Sequence, residues 1–216
     1  LNTGSFSAPF GCLTPEYDVG MGLIMQGADN KLNPITPLPM DAILEIETEA
    51  ELSADGHLTA CSKFEYSGLM ALFERNDLDE EELSEYLEDK LENIHSEAVL
   101  DSFNCCNLDS LNKCLTIDVH YHIPSYAQEA GNIMYCTTPL FTRQMKNPFV
   151  REYRHFPVDY DYEYRKSEKV KLRFPQGMTL SEKPDRARKS VKDMIFSKVY
   201  FGNEQEIEVM RSFRLK

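Results

Sequence analysis

The chain has 216 residues, 42% hydrophobic and 27% charged, enough for one large β domain or two small ones and too apolar for a disordered chain. Net charge is −13 and uneven: residues 1–150 hold 7 Lys and Arg against 25 Asp and Glu, whereas residues 151–216 hold 16 against 11. An acidic body argues against sequence-independent nucleic-acid binding, and the lack of an apolar run of roughly 18 residues argues against a helical membrane span.

Leu1 opens the chain without methionine, a basic leader or an apolar leader core. The expectation is an excised piece of a longer precursor whose targeting signal is missing. Residues 1–22, with Gly11, Pro15, Gly20 and Gly22 as punctuation, read as an arm or linker that closes on a short apolar strand at Leu23–Met25. Residues 27–41 read as a loop, because Asn33-Pro34, Pro37 and Pro39 disfavour regular structure.

The strongest pattern follows. Ile46, Thr48, Ala50 and Leu52 alternate with Glu45, Glu47, Glu49 and Glu51. After Asp55-Gly56, alternation resumes through Leu58, Ala60, Ser62, Phe64 and Tyr66 until Gly68. A strand has a period of two, and Asp-Gly supplies the positive-φ positions of a tight turn, so the spacing predicts an antiparallel hairpin with one buried and one wet face.

Leu69–Phe73 can begin a helix. Asp77 or Asp79 then reads as an N-cap, with Glu80, Glu81 and Glu82 in the first turn. Leu83, Leu87, Leu91 and Ile94 recur at helical spacing, with Glu85, Glu88, Asp89 and Glu92 opposite, predicting one amphipathic helix over 79–95 laid on a sheet. Strands are then expected at 97–106, 113–123, 132–137, 158–174, 178–182, 188–201 and 204–215, with Gly202-Asn203 turning the last hairpin. Many short strands with a single helix indicate a β-sandwich.

The candidate metal ligands are Asp118, His120 and His122, which share one face of a strand in steps of about 7 Å. The competing and preferred reading is the wet face of a strand whose other face carries Ile117, Val119, Tyr121 and Ile123. A nucleophilic set can be drawn from Cys105, His120 and Asp118, but no local nucleophile motif surrounds any cysteine. The six cysteines (Cys12, Cys61, Cys105, Cys106, Cys114, Cys136) are too few for a disulfide scaffold and are read as small buried hydrophobes. Their even number permits up to three bridges and leaves the redox compartment open, while on a strand Cys105 and Cys106 point to opposite faces. Tyr153, Phe156, Tyr160, Tyr162 and Tyr164 form an aromatic ladder, read first as packing and second as a stacking surface for sugar or peptide. Arg186, Arg188, Lys189, Lys192 and Lys198 can hold an anion, but pairing with the acidic half or solvation is the preferred reading.

Several short stretches carry a family resemblance. Leu13-Thr14-Pro15, Gly22-Leu23-Ile24-Met25, a proline-bearing loop, the Asp55-Gly56 hairpin, and Gly68 with Ala71 and Arg75 resemble the segment after the catalytic domain in bacterial transglutaminase-like cell-envelope proteins. Arg154-His155-Phe156-Pro157-Val158-Asp159 and Leu172-Arg173-Phe174-Pro175-Gln176-Gly177-Met178 resemble the C-terminal domain of unknown function of the same proteins. Glu208–Phe213 resembles its penultimate strand, and Leu215-Lys216 stops short of the usual last one. The resemblance implies an upstream β-sandwich and a papain-like core with a Cys–His–Asp triad, ahead of the stretch matched here. No residue of this chain maps onto that triad. It also implies an extracytoplasmic location, in the periplasm or at the cell surface, often in Bacteroidetes-type bacteria.

The expectation is therefore a mainly β chain, an antiparallel β-sandwich with one amphipathic helix. Residues 1–36 would be an N-terminal arm or linker and 37–216 the sandwich domain, divisible into sub-sheets at 37–150 and 151–216. No catalytic or cofactor-binding residue is assigned and no cofactor is expected. The expected role is a non-catalytic accessory module whose partner is the upstream transglutaminase-like core of the same precursor, or a protein or glycan ligand. The alternative is a free-standing carbohydrate- or protein-binding, adhesin-like module.

Overall fold

The alternating stretch that begins near Ile43 folds as a hairpin. In the computed structural model, which describes residues 8–9, 11–15, 20–26, 29–36, 38–78, 82–143, 153, 160 and 162–216, β3 (Ala42–Leu52) pairs antiparallel with β4 (Leu58–Gly68) from Ala42↔Gly68 to Leu52↔Leu58. Ile46, Thr48, Ala50 and Leu52 are buried, and the four glutamates between Glu45 and Glu51 face water. The turn is longer than a two-residue one: the Gly56 amide donates to Ser53 O (3.1 Å) and the Ser53 amide to His57 O (2.8 Å). Gly56 has φ 83°, and a Cβ there would stand 2.7 Å from the Ala127 carbonyl oxygen.

Neighbouring strands extend the hairpin on both sides. β5 (Val99–Cys106) and β6 (Leu115–Ile123) add antiparallel beyond β4. On the other side, β9 (Tyr164–Arg173) pairs with β3 in parallel, from Ile43↔Arg165 to Glu51↔Arg173. β12 (Glu206–Leu215), β11 (Met194–Gly202) and β10 (Ala187–Val191) follow, all antiparallel. The result is one eight-stranded sheet in the order β10-β11-β12-β9-β3-β4-β6-β5. Parallel neighbours need a long crossover, and the chain between Gly68 and Tyr164 supplies it.

One face of this sheet is covered. Gly68, φ 57°, ends β4 and starts α1 (Leu69–Asp77), while Leu69 N donates to Asp41 O at 2.7 Å. α2 (Leu83–Glu92) buries Leu83, Leu87 and Leu91 and leaves Glu85, Glu88 and Asp89 in water. These leucines join Phe64, Tyr66, Ile117, Val119, Tyr121 and Val209 in a single core. The stretch after β6 also lies on it: Tyr126, Ala127 and Leu140 are buried, and the Phe141 ring meets those of Phe64 (4.7 Å) and Tyr121 (6.0 Å). Two small ribbons remain, β1 (Met21–Gln26) with β2 (Asp29–Pro34), and β7 (Gln128–Ala130) with β8 (Ile133–Tyr135).

The class is mainly β, and several details depart from expectation. Strands of residues 42–123 and 164–215 pair in one continuous sheet, and helices and a connecting segment form the layer that a second sheet would have formed. There are two helices among the described residues: Leu69–Asp77, apolar and short, forms its own, and the acidic helix runs from 83 to 92. The 27–41 stretch contains β2, because Pro34 sits at the strand end, where its missing amide costs no ladder bond. Residues 178–182 form no strand. The stretch 188–201 is two strands, because Lys192, φ 47°, and Asp193 make a turn that carries no Asn-Gly signature. The expected start of β9 near Val158 lies outside the described residues, and the strand begins at Tyr164.

Candidate functional site

The wet face of the sheet explains the chain's charge asymmetry. Cross-strand register sets Lys169, Glu47, Lys63 and Asp118 side by side on four adjacent strands, so the signs alternate across the sheet. Flanking this row, Arg173 meets Glu49 (3.4 Å) and Glu51 (2.8 Å), Arg165 meets Glu45 (3.1 Å), Lys171 meets Glu206 (3.1 Å) and Lys169 meets Glu208 (3.4 Å). The basic β9 thus lies between acidic β3 and the Glu206–Glu208 end of β12. Each such exposed pair contributes little, and opposite-charge neighbours set register as much as stability.

Asp118, His120 and His122 do share this face, as expected of a strand, but they do not converge as a metal site. Asp118 is opposite Lys63. His120 Nε2 lies 3.7 Å from Cys61 Sγ, and His122 Nδ1 lies 2.7 Å from Asp101 Oδ1 with His57 stacked on its ring at 5.3 Å. Among the described residues no group of three or more His, Cys, Asp and Glu side chains is placed to hold a metal ion. The register irregularity between Leu100 and Ser102 brings Asp101 to His122, and nothing in the local sequence announces it.

The set drawn from Cys105, His120 and Asp118 is split between the two faces. Cys105 packs against the core, whereas His120 and Asp118 look the other way. The cysteine that does meet His120 is Cys61, directly opposite it on β4. Burial, followed by the charges of Asp118 and Glu49, pushes the Cys61 thiol up, which disfavours the thiolate that a nucleophile requires. None of the six cysteines forms a disulfide. The reading of all six as buried is corrected: Cys106, Cys114 and Cys136 are exposed, because they fall on a strand's wet side or in connections.

The covered face holds more polar chemistry than its pattern suggests. Arg75 is buried on α1 and donates to four main-chain carbonyls, those of Asn107 (3.0 Å), Leu108 (2.9 Å), Ser110 (3.1 Å) and Lys113 (2.8 Å). It clamps the β5–β6 connection. Glu168, 2% exposed in the middle of β9, accepts from the amides of Phe141 (2.6 Å) and Thr142 (3.1 Å) and from the Thr142 hydroxyl. Arg211 Nη1 in turn donates to Thr142 Oγ1 at 3.0 Å. Burial pushes the Glu168 carboxyl up, opposed by these hydrogen bonds and by the Arg211 charge.

A cleft of about 780 Å³ opens beside this clamp, between α2 and the covered face of β3, β4, β9 and β12. Lys90 reaches into it from α2 and Asn93 from just past the helix, Lys166 and Arg211 from β9 and β12, and Arg143 from the stretch after β8. Its walls are the rings of Phe64, Tyr66, Phe141, Tyr164 and Phe213. Lys90 Nζ is 3.2 Å from Glu74 and stands 4.6 Å over the Tyr86 ring. Lys166 stands 5.5 Å over Tyr164, and burial followed by the nearby Lys90 charge draws its ammonium down, with Glu74 opposing. Sequence reasoning missed this site because its cations come from α2, β9, β12 and a loop. The available signal was phase: Lys166 falls in step with Tyr162, Tyr164 and Val170, on the buried side of its strand.

The aromatic ladder is divided. Tyr162 packs on Phe73 (5.4 Å) and Tyr164 on Phe213 (5.5 Å), whereas Tyr153 and Tyr160 are exposed and Phe156 lies outside the described residues. Arg186, Arg188, Lys189 and Lys192 are solvent exposed, and Lys198 lies over the Tyr200 ring at 5.0 Å. No helix among the described residues is long and apolar enough to cross a membrane.

Against this geometry, residues 132–216 match a family model described as a domain of unknown function with a solved structure, DUF3858. No curated protein and no solved structure matches the chain. The matched stretch takes in β8 to β12, and its β9 pairs with β3, which lies outside it.

Proposed function

We propose that the chain is a non-catalytic accessory unit of a transglutaminase-like or peptidase-like cell-envelope protein, working outside the cytoplasm by packing on the catalytic core or binding its target. The observation that carries this reading is the β1–β2 ribbon. Leu23 and Leu32 are directly opposed across it and are 56% and 67% exposed. Among the described residues the ribbon pairs with no strand of the main sheet, and Ile35 and Leu38 that follow it are exposed as well. Apolar side chains held together in water by a regular element favour contact with another surface. The resemblance of Gly22-Leu23-Ile24-Met25 to the segment after a transglutaminase-like core makes that core the proposed partner.

Sedimentation velocity of this chain with the separately expressed core tests the reading. A complex is expected, weakened by Leu32→Glu. No complex at low salt and high micromolar concentration contradicts it. The chain alone is expected to hydrolyse neither peptides nor esters and to join no glutamine to amines. Activity abolished by Cys61→Ala or His120→Ala would overturn that expectation.

The second reading, a free-standing carbohydrate- or protein-binding module, is favoured by Tyr153, 79% exposed, and by a groove of about 520 Å³ on the wet face, where Phe201 and Met210 are exposed. Saturable binding of a soluble glycan, lost in Tyr153→Ala, would support it over the first.

A further inference from the structure

We propose that the cleft under α2 is a binding site for a small organic anion, a phosphate or carboxylate carried on an aromatic or apolar body. Two observations carry this independently of the accessory role. The first is charge. In a chain of net charge −13, Lys90, Lys166, Arg143 and Arg211 converge on one cavity. Among the described residues two carboxylates answer them, and both are engaged: Glu74 holds Lys90 and the Tyr86 hydroxyl, and Glu168 is turned into the Phe141–Thr142 turn. Lys166 and Arg143 make no ion pair among the described residues. Placing cations together in a partly dewatered cleft is unfavourable unless an anion joins them.

The second observation is shape and lining. At about 780 Å³ the cleft falls within the size range of small-molecule sites, which runs to roughly 1,000 Å³. Its walls are aromatic, so a bare inorganic anion would leave most of them in water. The Tyr66 hydroxyl, on a residue 2% exposed that lines the cleft, meets no hydrogen-bond partner at bonding distance among the described residues, and burial, followed by the Glu74 charge, pushes its phenol up. The cations supply charge-assisted hydrogen bonds and the rings supply apolar contact, a division of labour suited to an anion with a flat or greasy body.

Titration calorimetry on the intact chain tests this with four probes: 1-naphthyl phosphate, 1-naphthoate, neutral 1-naphthol and inorganic phosphate. At least one naphthyl anion should bind saturably with one-to-one stoichiometry, and the tighter of the two identifies the acidic group preferred. Naphthol and inorganic phosphate should bind more weakly by about tenfold or more, the factor that one charge-assisted hydrogen bond supplies. Lys166→Met and Arg143→Ala should each weaken the anion by a similar factor of about ten. Arg143 is exposed, so its variant keeps the test valid should Lys166→Met unfold. Absence of saturable binding by both anions overturns the proposal. So does equal affinity for naphthol, or affinity unchanged in Arg143→Ala.

Discussion

Single residues hold this fold at points where no substitute fits. Gly68 is one: a Cβ there would stand 1.8 Å from the Asp41 carbonyl oxygen, which already accepts the Leu69 amide. Arg75 is another. Its guanidinium serves four carbonyls of the 107–113 connection, a fork geometry that an ammonium cannot match. Arg75→Ala should cost about 2–4 kcal/mol by urea denaturation, because buried carbonyls lose a charged donor, and Arg75→Lys should recover only part of it. Full recovery by lysine would contradict the clamp. Glu168 gives a pH signature. Burial raises its folded pKa above the ordinary carboxylate value of about 4.3, so the stability linked to its proton is complete below that pH and is lost as pH rises through the raised value. Urea midpoints of the parent should therefore fall, relative to those of Glu168→Gln, as pH climbs from about 4 towards 7. Parallel pH profiles for the two proteins would refute the assignment.

At the scale of elements, the parts with two clearly distinguished faces were legible and the long-range pairings were not. β3 from Leu44 onward, β4 and β6 alternate, and each buries the residues its period marks. α2 buries Leu83, Leu87 and Leu91 at helical spacing, as read. Leu87→Ala should destabilise by roughly 2–5 kcal/mol, including its cavity, whereas Glu85→Ala and Glu88→Ala should each change stability by about 0.5 kcal/mol or less. Comparable losses from Glu88→Ala would show that the acidic face is not simply solvated. The parallel β3–β9 pair had no local signal, since both strands read equally well as members of separate sheets. The Lys192-Asp193 turn carries no glycine or asparagine to announce the positive φ of Lys192, the Cys61–His120 pair depends on the register of strands far apart in sequence, and the His122–Asp101 pair depends on a register irregularity. Asp118, His120 and His122 share one face of β6, as a period of two requires. Which partners they meet across it was beyond the sequence.

For the whole molecule, the sheet joins what composition separates. The acidic strands of the first half and the basic β9 of the second meet at the parallel junction, and their opposite charges interleave across the wet face. The covered face is closed by helices and by the Arg75 and Glu168 clamps, and opens at the aromatic cleft. What the sheet does not cover is the β1–β2 ribbon with its opposed leucines. The proposed accessory role rests on that surface meeting a partner. Hydrogen–deuterium exchange of the chain alone and mixed with the separately expressed transglutaminase-like core measures this directly. The account predicts that amides of residues 21–34 exchange more slowly in the complex, while those of β3 and β4 are unchanged. Equal exchange of the ribbon in both states would contradict it and leave the chain to be understood as an independent binding module.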